Sequence, residues 1–164
     1  MDSLKEEFIK YFGEEKWEQE ELITIYQDAV ALVCGEYLGI EPIPVVFEKL
    51  DCDVARYDIK EQAIILNSKY KDNYIELMNA TLHELEHHWQ MLYIANSDNP
   101  KAKRWKELLN NHKPDEIDES EVDAYAFAKV IGNIEFGIDY NTGNEGLDYI
   151  IDKYISNKKL TSND

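Results

Sequence analysis

The sequence is poor in cysteine, proline and basic residues, and it has no long apolar run. Its 164 residues include two cysteines and four prolines. Two cysteines exclude both a cysteine-rich zinc knuckle and a disulfide-dense scaffold. Cys34 and Cys52 fall in different segments, and they read best as free thiols of a cytoplasmic protein. No uninterrupted apolar stretch approaches the roughly 20 residues of a spanning helix, so no membrane segment is expected. Residues Met1 to Glu7 show no basic region leading into an apolar run, so no secretory signal is expected. Positive charge is scarce as well: 17 Lys and Arg stand against 34 Asp and Glu, a formal net charge of −17. Such a field repels phosphate backbones and argues against a nucleic-acid partner. The basic clusters are Lys101, Lys103, Arg104 and Lys106, read as a solvated helix face, and Lys158 with Lys159, read as a tail.

What remains is a chain that can build a core. Hydrophobic residues make up 44% of it, with 11 tyrosines. That composition excludes a disordered chain, and the length suits one domain. The expectation is a single unit over 1–164, with an N-terminal helical part at 1–40 and a core at about 41–132. Leu4, Phe8, Ile9 and Phe12 have helical spacing over 3–12. A second helix is expected over about 15–38, stopped by Gly39. Pro42 and Pro44 then forbid a helix interior. Short apolar runs at 45–47, 54–57 and 63–66 predict a small sheet of about three strands. Helices are expected at about 73–92, around Trp105 to Asn110, from Asp118 to a stop at Gly132, and around Leu147 to Ile155. The fold class is therefore α+β.

The helix at 73–92 carries the chemistry. It contains His83-Glu84-x-x-His87, and residues four apart on a helix share one face. Both imidazoles can then address one metal ion, with the Glu84 carboxylate beside it. Two neutral nitrogen ligands, an open position for water and a carboxylate base are the requirements of metal-assisted hydrolysis. His88 points about 100° away from His87 and is read as a supporting residue, not a ligand. A catalytic zinc takes a third protein ligand. Glu121 is the leading candidate, because Ala124 lies on the same face and a small residue lets two helices approach. His112, Asp118 and Glu119 are the alternatives.

His83-Glu84-x-x-His87, followed on a later helix by Glu121-x-x-Ala124-x-x-Phe127-Ala128, resembles the small gluzincin metallopeptidases, and the ImmA/IrrE type in particular. The likeness covers roughly Val45 to Ile131. It implies a zincin-like fold, zinc as cofactor, His83, His87 and Glu121 as ligands, and Glu84 as catalytic base. The wording around Glu86, His88 and Trp89 is also similar to SprT-like metallopeptidases. Those take a third histidine from a later stretch, where this chain has Asn99 to Trp105 and no histidine.

The function expected is therefore hydrolysis of peptide bonds in a protein or peptide substrate. A donor to the substrate oxygen is also required. Tyr125, four residues after Glu121, is the first candidate, with His88, His112 and Tyr140 behind it. Asp118, Glu119 and Asp123 are candidates to accept the outer N–H groups of the ligand histidines. A strand of the sheet can offer its edge to an extended peptide. The competing reading is a non-catalytic zinc-binding interaction domain that keeps the same fold.

Overall fold

The computed structural model describes residues 19–111 and 117–160. The helix expected at 3–12, the first residues of the one expected from 15, and His112 lie outside the described residues. Within them the protein is α+β, with five α-helices and a three-stranded mixed sheet. Helix α1 spans Gln19–Val33 and runs into a π-helical turn, Cys34–Leu38. Gly39 ends it with φ 63°, a conformation open to glycine at little cost.

Strands β1 (Val45–Glu48), β2 (Ala55–Asp58) and β3 (Ala63–Asn67) pair in the order β1-β3-β2. β1 runs parallel to β3, with Val45 opposite Ile64, and β2 runs antiparallel to it, with Ala55 opposite Leu66. Every residue of the central strand is buried, which is why its apolar run is continuous and not alternating. Two side-chain amides, one half-buried and one buried, fasten the sheet. Gln27 of α1 donates to the Ile43 carbonyl at 2.9 Å and accepts from the Val45 amide at 2.8 Å. Asn67 donates to the carbonyls of Leu50 and Asp53 and accepts from the Leu50 and Lys69 amides. The second amide holds the loop that leads into β2.

Helix α2 spans Tyr74–Asn96, four residues beyond the expected end. Asn73 caps it, accepting from the Glu76 amide. Leu77, Leu82 and Leu85 face the core, where they meet Leu22, Val30, Ile64 and Leu66. Helix α3 spans Pro100–Asn110, with Asn99 as cap and Pro100 at its first position. Helix α4 spans Glu119–Phe136, and helix α5 spans Glu145–Leu160.

Gly132 does not end α4 as expected. Its neighbours Ile131 and Phe136 are both buried, so burial of the apolar face carries the helix through a residue that costs only about 1 kcal/mol there. Gly137 is the stop, with φ 67° and its N–H on the Asn133 carbonyl. The α2–α4 packing is the most extensive between helices. Ala124 and Ala128 are buried along α4, and a Cβ on Gly132 would sit 3.7 Å from Leu82. Small side chains there bring the two helices close. None of the helices described is long and apolar enough to cross a membrane.

Candidate metal centre

One face of α2 opens on a cleft. Ala80, His83, Glu84, His87 and Met91 follow one another about a turn apart and form the floor of a cleft of about 660 Å³. Strand β2 and the turn after it make one wall, through Ala55, Arg56, Tyr57 and Ile59. Leu109 of α3, and Ile117, Glu121 and Tyr125 at the start of α4, make the other. Ile59 and Ile117 stand at the rim, 62% and 47% exposed.

The start of α4 is what brings a carboxylate over the two histidines. Asp118 is the N-cap: its side chain accepts from the Glu121 amide at 3.1 Å and from the Ser120 hydroxyl at 2.5 Å. Glu121 therefore leaves the first turn in a fixed direction. One of its oxygens lies 3.1 Å from His83 Nε2 and the other 2.9 Å from His87 Nε2. One donor atom from each of His83, His87 and Glu121 falls within 4.8 Å of the other two.

These residues fit a divalent metal on two grounds. Ligand atoms on one tetrahedral zinc stand about 3.3 Å apart, from bond lengths of about 2.0–2.1 Å. The contacts of 2.9 and 3.1 Å run to different Glu121 oxygens as hydrogen bonds, and they hold the three side chains near that spacing before an ion enters. Two imidazoles and a carboxylate also form a donor set suited to zinc, while other first-row metals accept the same set. Among the described residues this is the group of three or more His, Cys, Asp and Glu side chains that can hold an ion.

The electrostatics follow from the packing. Burial opposes a charge on both Glu121 and His87, but the direct bonds between them outweigh it. Glu121 is held well below the usual carboxylate range by His83 and His87. His87 is pushed up to about 9 by Glu121, with Glu84 and Gln90 adding to the effect. Burial is the main cause at Glu84, whose carboxyl is raised; the charges of His83 and His87 pull the other way. The Tyr125 phenol is raised by burial and then by Glu121 and Glu84, so it stays a donor at neutral pH. Its ring packs edge-on against His83, with centroids 4.4 Å apart.

Other candidates are engaged elsewhere. Glu119 forms a two-pronged pair with Arg104 of α3, both contacts at 2.9 Å, and Asp118 is the cap. His88 is buried, and its Nδ1 lies 2.7 Å from the Tyr57 hydroxyl, a contact that ties β2 to α2. Burial lowers the His88 pKa, which favours the neutral ring in this contact with Tyr57. Tyr140 lines the cleft, its hydroxyl pushed up to about 12 by burial and by Glu76.

The outer nitrogens of the histidines do not meet Asp118, Glu119 or Asp123 directly. His87 Nδ1 lies 2.9 Å from Gln90 Oε1, and Gln90 in turn donates to Asp123. His83 Nδ1 is buried without a hydrogen-bond partner among the described residues. Sequence reasoning does not single out Gln90. The available signal was a polar residue three positions after His87, on the same side of the helix.

Comparison with protein-family models, with curated proteins and with solved structures finds no match. The likeness to gluzincins thus rests on the motif residues and their spacing, and the site stands on its own geometry.

Proposed function

We propose that the chain is a zinc-dependent metallopeptidase of zincin-like, ImmA/IrrE-like fold, acting as a single unit over 1–164 on a protein or peptide substrate. The observation that carries this is the meeting of His83 Nε2, His87 Nε2 and both Glu121 oxygens at the floor of an open cleft, with Glu84 beside them. A closed structural zinc site spends four protein ligands, whereas a three-ligand set facing a cleft leaves room for water and substrate.

In this reading His83, His87 and Glu121 would hold zinc, which would supply a Lewis acid and a water of near-neutral pKa. Glu84 takes the proton of the attacking water and passes it to the leaving amine. Burial that raises its carboxyl suits a group that must gain and lose a proton near neutrality. Tyr125 donates to the carbonyl oxygen as charge develops there. Strand β2 is at a sheet edge and lines the cleft, which supports docking of an extended peptide by main-chain pairing. Ile59 and Ile117 favour apolar side chains in that peptide. The two unpaired cysteines suit a cytoplasmic setting.

The test is cleavage of a denatured-protein peptide library by zinc-loaded protein and by Glu84→Gln. Wild type should cleave and the variant should lose about 10²- to 10⁴-fold in rate while keeping its zinc. Zinc binding by both, with no cleavage by either, would instead mark a non-catalytic zinc-binding domain.

A further inference from the structure

Gln90 is completely buried, one turn beyond His87, and all of its polar atoms are committed. Its amide nitrogen donates to the Ser120 carbonyl at 2.9 Å and to Asp123 Oδ2 at 2.9 Å. A carbonyl can only accept, so the nitrogen must face Ser120 and the oxygen must face His87. That oxygen lies 2.9 Å from His87 Nδ1 and can only accept in turn. Nδ1 therefore carries a hydrogen, which leaves Nε2, the nitrogen on the Glu121 side, as the one that can hold an ion.

Asp123 is itself held from the last helix. Its Oδ1 accepts from the Tyr154 hydroxyl at 2.5 Å and lies 3.4 Å from Lys158 Nζ. Asp123 is 1% exposed. A chain of contacts thus runs from α5 through α4 to the ring of one ligand on α2.

We propose that Gln90 is a positioning residue that presets His87 as an Nε2 ligand, and that Tyr154, acting through Asp123, makes metal affinity depend on helix α5. The inference rests on the metal-site reading above. A histidine left free divides its hydrogen between two nitrogens and its ring among several orientations. The Gln90 amide removes both freedoms before any ion arrives, so less is lost on binding. The neighbouring histidine, His83, has no such partner on Nδ1 among the described residues. The selection of one nitrogen is therefore built at His87.

The experiment uses the full chain. Zinc affinity is measured by chelator competition for wild type, Gln90→Leu and Tyr154→Phe. Proton NMR of the cobalt-loaded proteins then follows the exchangeable ring N–H of His87. Gln90→Leu should weaken zinc by about 10- to 100-fold, the range typical for lost outer partners of ligand histidines. It should also speed exchange of the Nδ1 hydrogen. Tyr154→Phe, which keeps the ring and removes only the hydroxyl, should weaken zinc by about three- to tenfold in a normally folded protein. It also decides the matter if Gln90→Leu does not fold. Wild-type affinity and unchanged exchange in Tyr154→Phe, or zinc affinity within threefold of wild type in folded Gln90→Leu, overturns the proposal while leaving the metal site standing. Failure of wild type itself to bind zinc or cobalt overturns the metal reading and this inference together.

Discussion

Replacing Asp118 by alanine separates two things that one side chain does. Asp118 caps α4, and the amide it accepts belongs to Glu121, the carboxylate that meets both histidines. Loss of an N-cap costs typically about 1 kcal/mol, within about 0.5–2. For a chain of this size each 1 kcal/mol lowers Tm by about 2–4 °C. The cost has a second consequence, because Glu121 lies in the turn that frays. Zinc must reorder that turn on binding, so the same 1 kcal/mol weakens affinity about fivefold, given that about 1.4 kcal/mol is tenfold. Asn73→Ala is the control. Asn73 caps α2 and accepts from Glu76, ten residues before His83, so its loss should lower Tm by a similar amount and leave zinc affinity unchanged. Thermal melts of the metal-free proteins and chelator competition at one pH measure both quantities. If the two variants weaken zinc equally, the cap does not hold the ligand and the reasoning is wrong.

Zinc at about 100 times its Kd should stabilise the protein by about 2.7 kcal/mol, or roughly 5–10 °C in Tm, and His83→Ala should show no such rise in a melt with and without zinc. Tyr57→Phe should lower stability by about 1–3 kcal/mol in urea unfolding, because it leaves the buried His88 Nδ1 unpaired. At alkaline pH, Tyr37 supplies a distinct signal. Its bond to Glu135, followed by burial, pushes its phenol up from 10.0 to about 12. Because the folded value is raised, its contribution is full below pH 10 and is lost as pH rises through about 12. Urea melts at pH 9 and pH 11.5 should therefore differ more for wild type than for Tyr37→Phe, and equal differences contradict the sign.

The parts of this molecule legible in the sequence are those fixed by local periodicity. His83, Glu84 and His87 share a face because the helix that carries them is long and its other side is apolar. The continuous apolar run at 63–66 announces a buried strand, but nothing local says that β1 pairs with it in parallel and β2 antiparallel. Gly39 and Gly132 look alike as helix stops. Only the first adopts a positive φ, since the apolar face of α4 continues to Phe136 and shifts the stop to Gly137. The carboxylates at 118, 119 and 121 were likewise indistinguishable by charge. Their roles divide in three dimensions: a cap, a partner for Arg104, and a neighbour of two histidines. The Gln90–Asp123–Tyr154 chain spans three helices, so no single stretch of sequence contains it.

The central claim is that His83, His87 and Glu121 hold one zinc with a position left open. X-ray absorption at the zinc edge of the loaded protein tests it most directly. The account predicts one zinc per chain, two imidazole nitrogens at about 2.0–2.1 Å, and oxygen in the remaining positions from Glu121 and water. Sulfur at about 2.3 Å, more than two imidazoles, or an unaltered spectrum in Glu121→Ala would contradict it.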